Sequence, residues 1–149
     1  MKEKKITKKQ LAKDYKKTFD RAWKLWSEYR RKSEADENGL VVCFSCNAQI
    51  PWRRPKDKKQ KGDFANLGHF FHGKLDFDPI ATQIQDTYCN HGLHGNLGLY
   101  AIHLVEKYGL EKIRELVKRA DVFEKYSIEE LEQIIKDIEE KSCLKLETK

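Results

Sequence analysis

The sequence predicts an α+β fold, mainly α: a small core stapled through side-chain ligands, preceded by a long basic helix and followed by further helices. Three observations carry this expectation. Helical periodicity runs through residues 7–33 and returns from about His91 onward. Two short strand-like runs, residues 40–43 and 64–71, fall between. Cysteines stand beside those runs, in hydrophilic rather than apolar surroundings. The 149 residues suit one domain, and a hydrophobic share of 39% with 36% charged residues implies a modest core and long charged helices. The chain divides into a basic amphipathic helical extension at 1–39, a core at 40–109 and a C-terminal helical extension at 110–149.

Each element has a local reason. Leu11, Tyr15, Phe19, Ala22, Trp26 and Tyr29 recur at spacings of three and four, one face of a helix, with Thr7 placed to cap it. Asn38-Gly39 is the turn signal that ends this segment. Residues 40–43 enter a Cys-x-x-Cys turn, and the loop Trp52–Lys61 that follows is too polar to pack. The Gly- and Asp-bearing stretch up to Pro79 reads as loop. Three helices are expected later. The first covers 96–108 and is stopped by Gly109; the second covers 111–120; the last opens with the Ser127-x-x-Glu130 capping box. Ile128, Leu131, Ile134, Ile135 and Ile138 give that last helix an apolar face for packing or dimerisation.

The net charge of +6 is unevenly spread: residues 1–61 hold 19 Lys+Arg against 8 Asp+Glu, and residues 62–149 hold 11 against 16. A basic front half suits a polyanion, since each neutralised phosphate releases counterions. The residues expected to grip nucleic acid are Lys13, Lys16, Lys17, Arg21 and Lys24 on the helix. Arg53, Arg54, Lys56, Lys58 and Lys59 join them from the loop. A solvated lysine-rich helix is the plainer reading of the same charge. No apolar run approaches the ~20 residues that span a bilayer, and Met1–Lys5 has no apolar segment behind it. The expectation is therefore a soluble, cytoplasmic protein with no membrane partner.

Four cysteines in such a chain point to metal ligation rather than disulfides. Cys43-Phe44-Ser45-Cys46 is the tight turn that lets two thiolates meet one zinc ion. The second half is irregular: Asp86-Thr87-Tyr88-Cys89 carries a carboxylate where a second cysteine would complete the pair. Three thiolates and Asp86 make an acceptable structural zinc site, as would three thiolates with His91 or His94. Cys143 lies in the tail, away from these ligands in sequence.

Four of the five histidines cluster around this candidate site, in Gly68-His69-Phe70-Phe71-His72 and in Asn90-His91-Gly92-Leu93-His94. Histidine near neutral pH can take a proton from water. Were Asn90 to begin a helix, it would share a face with His94 four residues on, and the two could hold a hard cation such as Mg²⁺ or Mn²⁺. That is the plan of a ββα-metal, or HNH-type, nuclease.

The ordered set Cys43-Phe44-Ser45-Cys46, Gly68-His69-Phe70, Phe77-Asp78, Gln85, Cys89-Asn90, Gly95-Asn96-Leu97 and Glu106-Lys107-Tyr108-Gly109 resembles the phage NinG/Rap family of recombination endonucleases. The resemblance covers residues 43–116, about half the chain. It implies a structure-specific endonuclease of branched double-stranded DNA (Holliday junctions or D-loops) in a phage-infected or prokaryotic cell. It further implies a zinc-stapled, treble-clef-like ββα-metal core, His69 as general base and Asn90 as a ligand of the catalytic Mg²⁺ or Mn²⁺. Two symmetric cuts would suit a homodimer.

The sequence departs from the family pattern in places. Asp86 replaces a cysteine, Ala81-Thr82-Gln83 replaces Asn-x-His, Asn66 replaces an acidic residue and Asp76 replaces an arginine. Asn66 is then a neutral candidate cation ligand, and His94 a second candidate contact to metal or phosphate. Asp63, Asp76 or Asp78 could restore the missing carboxylate.

Overall fold

The computed structural model describes residues 7–55, 63–122 and 124–147, with side chains described as far as Cys143. In chain order the elements are α1 (Lys8–Ser33), β1 (Leu40–Val42), β2 (Gln49–Pro51), β3 (Asn66–His69), β4 (Thr82–Gln85), a single π-helical turn (Tyr88–Gly92), α2 (Leu97–Tyr108), α3 (Leu110–Ala120) and α4 (Ile128–Glu147). The fold is thus mixed helix and strand, mainly helical. No helix of the described residues is long and apolar enough to cross a membrane.

The chain forms two compact units, one of residues up to Trp26 together with those from Tyr126, the other of Ser27–Lys125. The division falls inside α1. In the first unit, Thr7 Oγ1 accepts the Gln10 N–H at 3.2 Å and caps α1 as its sequence position implies. Ala22 is fully buried, and on α4 Leu131, Ile135 and Ile138 are buried at the expected helical spacing. The Arg21–Glu139 ion pair, 2.8 Å, joins the two helices. The apolar face of α4 is therefore used within the chain. Ser127 and Glu130 form the reciprocal capping box: Glu130 N–H donates to Ser127 Oγ (3.2 Å) and Ser127 N–H to Glu130 Oε2 (2.7 Å).

The second unit contains two antiparallel hairpins. β1 pairs with β2 in the register Val41↔Ile50, and β3 with β4 in the register Asn66↔Gln85 to His69↔Thr82. The Phe44 N–H donates to the Ile84 carbonyl at 2.7 Å, tying one hairpin's turn to the other's second strand. Tyr100 of α2 is fully buried, and its hydroxyl bridges the carbonyls of Gly68 (3.1 Å) and Ala81 (3.2 Å), one on each side of the β3–β4 hairpin. Tyr100, Leu104 and Ile113 make one apolar cluster; Leu75, Ala81 and Leu116 make another.

β4 is a fully buried strand despite carrying Thr82, Gln83 and Gln85. The Phe77-Asp78 segment, within the stretch expected as loop, is a turn. Asp78 Oδ1 accepts the N–H groups of Ile80 (2.8 Å) and Ala81 (3.1 Å), and Pro79 between them has no N–H to give a ladder.

Candidate functional site

The β1–β2 hairpin closes through Cys43 and Cys46. Cys43 N–H donates to the Ala48 carbonyl (2.8 Å) and Asn47 N–H to the Cys43 carbonyl (2.9 Å), with Asn47 in the left-handed region (φ 62°) that a tight knuckle requires. β4 then delivers Asp86, and the π-helical turn delivers Cys89. The ligand atoms of Cys43, Cys46, Asp86 and Cys89 all lie within 4.8 Å of one another. Cys46 Sγ stands 2.9 Å from Asp86 Oδ2, while Asp86 Oδ1 accepts the Cys89 N–H, which fixes the carboxylate's orientation. Asn96 Nδ2 reaches Cys89 Sγ at 3.4 Å, an outer contact of the type that orients thiolate ligands. On α2, His103 Nδ1 donates to the Phe44 carbonyl at 2.6 Å and anchors the knuckle from behind.

The protonation balance fits a cation. Burial raises the Asp86 pKa, but the hydrogen bonds from Cys46 and Cys89 prevail and leave it below its ordinary value. Burial pushes the Cys46 thiol well up, and the Asp86 contact pushes it further; burial raises Cys89 too. Three thiols and a carboxylate sharing one space cannot all ionise without positive charge among them, which a divalent ion supplies. The cluster could hold a structural metal such as zinc, at ~2.3 Å from sulfur and ~2.0–2.2 Å from oxygen.

Among the described residues no histidine joins this group. His91 is exposed, with Nε2 3.5 Å from Asn90 Nδ2. His94 is exposed in a left-handed turn (φ 49°) followed by Gly95 and Asn96, also at positive φ. The expected helical pairing of Asn90 with His94 does not form. The π-helical turn ends at Gly92, and the Gly95 N–H folds back onto the carbonyls of Cys89 (2.9 Å) and Asn90 (3.0 Å). Cys143 lies exposed on α4 and is not part of the cluster.

A second group gathers at the end of β3. His69 Nε2 lies 3.2 Å and His72 Nδ1 3.3 Å from the same atom, Asp76 Oδ1, and the two rings are 4.5 Å apart. Burial, and next the charge on His72, hold His69 down at about 4, so its imidazole is neutral near pH 7. Burial raises the Asp76 carboxyl. Of the three aspartates able to restore a carboxylate, Asp76 is the one that reaches His69. Asp78 pairs with Arg119 (2.9 Å), and Asp63 accepts the Thr87 N–H (2.8 Å).

Asn90 arrives at β3 from the other side of the hairpin's sequence: a Cβ at Gly68 would stand 3.1 Å from Asn90 Oδ1. Asn66, two residues earlier on the strand, uses Nδ2 to bind the Phe64 carbonyl and Thr87 Oγ1, each at 3.1 Å. Of the basic residues, Lys16 pairs with Asp20 and Arg21 with Glu139; Lys13, Lys17 and Lys24 are exposed on α1. Arg53 lies over the Trp52 ring (5.2 Å) and Arg54 over Phe64 (5.4 Å). Lys56, Lys58 and Lys59 lie outside the described residues. Sequence reading offered Asp76 as one of three candidate carboxylates but did not bring it together with His72, for which the spacing His-x-x-His-x-x-x-Asp was the available signal.

Fold and site together define a small mixed helix-and-strand protein with a knuckle of three thiolates and one carboxylate able to hold a structural metal. The sequence model of a family described as "Bacteriophage Lambda NinG protein" matches residues 1–148, and the chain belongs to that family. No curated protein and no solved structure matches it.

Proposed function

We propose that this protein is a metal-dependent endonuclease that hydrolyses phosphodiester bonds in branched DNA such as Holliday junctions or D-loops. The observation that carries the reading is the end of β3. There His69 is held neutral, as a general base must be, while Asn90 Oδ1 comes to Gly68, the residue before it. Membership of a phage family tied here to recombination supports the substrate class. In this reading the β1–β2 knuckle with Asp86 and Cys89 is treble-clef-like, and the β3–β4 hairpin with the following helical turn is a ββα-metal core.

His69 takes a proton from the attacking water as its oxygen bonds to phosphorus and the bond to the leaving sugar oxygen breaks. Asn90 Oδ1 would hold a hard cation such as Mg²⁺ or Mn²⁺, with Asn66 the other candidate ligand. Such an ion, when bound, neutralises the crowded phosphate and the leaving oxygen. The exposed lysines of α1 contact the DNA backbone, Arg53 and Arg54 are further candidate contacts, and His94, on an exposed turn, is a candidate phosphate contact.

A second reading, a non-catalytic zinc-stabilised DNA-binding protein, is favoured by one observation: His69 Nε2 faces Asp76. Incubation with a four-way junction and Mg²⁺ or Mn²⁺ separates the two. Cleavage that falls at least ~100-fold in His69→Ala, with junction binding retained, supports the enzyme. Binding without cleavage under every metal supports the binder and ends the nuclease reading.

A further inference from the structure

We propose that His69, His72 and Asp76 form a second metal site, separate from the cysteine knuckle, that takes a borderline transition cation of the Zn²⁺, Co²⁺ or Ni²⁺ class. The two sites share no residue. Two ligands at ~2.05 Å from a tetrahedral ion stand about 3.3 Å apart. The separations of the two ring nitrogens from Asp76 Oδ1, 3.2 and 3.3 Å, match that value, and all three ligand atoms lie within 4.8 Å.

The backbone builds this convergence. β3 ends at His69, and Gly73 at φ +80° turns the chain so that the Asp76 N–H donates to the Gly73 carbonyl at 3.1 Å. That turn returns the carboxylate to the rings. His69 and Asp76 are largely buried, whereas the His72 side chain is 79% exposed, so the site opens to solvent on the His72 side. Three protein ligands with room for water is the open arrangement of a reactive or exchangeable site rather than a closed structural one. Two imidazoles and one carboxylate select borderline metals; Mg²⁺ prefers oxygen ligands and keeps its waters.

The plain alternative is a carboxylate paired with two histidines with no ion between them. One consequence rests on the nuclease reading: an ion on His69 Nε2 occupies the lone pair that would take the proton from water, so excess Zn²⁺ would switch the enzyme off.

The test uses the full chain as isolated, with zinc content measured, titrated with Co²⁺ without DNA and followed by calorimetry and visible absorption. One further Co²⁺ per chain is expected, with weak ligand-field bands and no thiolate charge-transfer band, and millimolar Mg²⁺ should leave it bound. His72→Ala, at an exposed position, should lose it or weaken it at least tenfold while the zinc content is unchanged. Asp76→Asn should do the same. Absence of a further equivalent, or equal binding by His72→Ala, overturns the site. A separate arm adds Zn²⁺ to junction cleavage in Mg²⁺, where wild type should slow and His72→Ala should not. A chain that binds the second ion yet cuts no junction keeps the site and rejects only the nuclease reading.

Discussion

Asp86 accepts a hydrogen bond from the Cys46 thiol at 2.9 Å, across 40 residues of sequence. The carboxylate thus stands where a fourth cysteine would complete a four-cysteine cluster, and its other oxygen is held by the Cys89 N–H. Removing even an outer partner of a metal ligand weakens binding by ~10–100-fold, and removing a ligand should cost at least that much. Asp86→Ala should therefore lose zinc to a chromophoric chelator at least ~10–100-fold more readily than wild type. Asp86→Cys, which supplies a fourth thiolate, should retain it. Equal zinc retention by Asp86→Ala would remove the carboxylate from the site.

Gly68 is required for space, not for backbone freedom. A Cβ there would collide with the buried side-chain oxygen of Gln85, and Gln85 cannot withdraw easily because its amide donates to Ser45 Oγ (2.7 Å) and the Gly95 carbonyl (2.6 Å). Gly68→Ala should destabilise the fold by ~1–3 kcal/mol, the usual cost of overpacking. Combining it with Gln85→Ala should cost less than the sum of the two single changes, because the collision and the lost amide share one space. Thermal melts of the four proteins check this; strict additivity would show that residues 68 and 85 do not meet.

Tyr100 predicts a pH effect with a definite sign. Burial raises its phenol well above the ordinary value of about 10. The unfolded chain therefore releases this proton near pH 10 while the folded chain keeps it. Stability contributed by the neutral phenol is complete below about pH 10 and falls as pH rises beyond it. Tyr100→Phe removes the hydroxyl's hydrogen bonds to the carbonyls of Gly68 and Ala81, the second of which keeps the Phe70 N–H, and should cost ~0.5–1.5 kcal/mol at neutral pH. Denaturant melts from pH 8 to 11 should show wild type losing its advantage over Tyr100→Phe above pH 10. A constant difference across that range would contradict the account.

What the sequence disclosed depended on whether the signal was local. Thr7, the Ser127-x-x-Glu130 box and Gly109 act within one turn of their own helices, and each does in the structure what its position implied. The convergence of Cys43, Cys46, Asp86 and Cys89 was legible because ligand chemistry and short spacing point the same way. β4 was not, since Gln83 and Gln85 read as polar surface. Their amides are satisfied inside the fold instead: Gln83 Nε2 donates to Tyr108 Oη and to the nearby Pro79 and Ile80 carbonyls, and Gln85 to Ser45 and Gly95. The meeting of His69 with Asp76 was hidden for a related reason. It depends on the turn at Gly73, which sets direction without contributing a side chain.

The last prediction concerns the basic helix. Lys13, Lys17 and Lys24 are exposed, lie at spacings of four and seven residues on α1, and have no ion-pair partner among the described residues. Lys16, by contrast, is paired with Asp20. If α1 contacts the DNA backbone, each free lysine that neutralises a phosphate contributes ~0.9 to the slope of log K against log salt. Replacing all three by glutamine should lower that slope by up to about 2.7 and weaken binding to junctions of any sequence. Lys16→Gln should change it less, since Asp20 already neutralises that lysine. Fluorescence anisotropy on a labelled junction between ~50 and ~200 mM salt reads both quantities. An unchanged slope in the triple variant would free α1 of any role in DNA binding and assign the contact to the segment carrying Arg53 and Arg54.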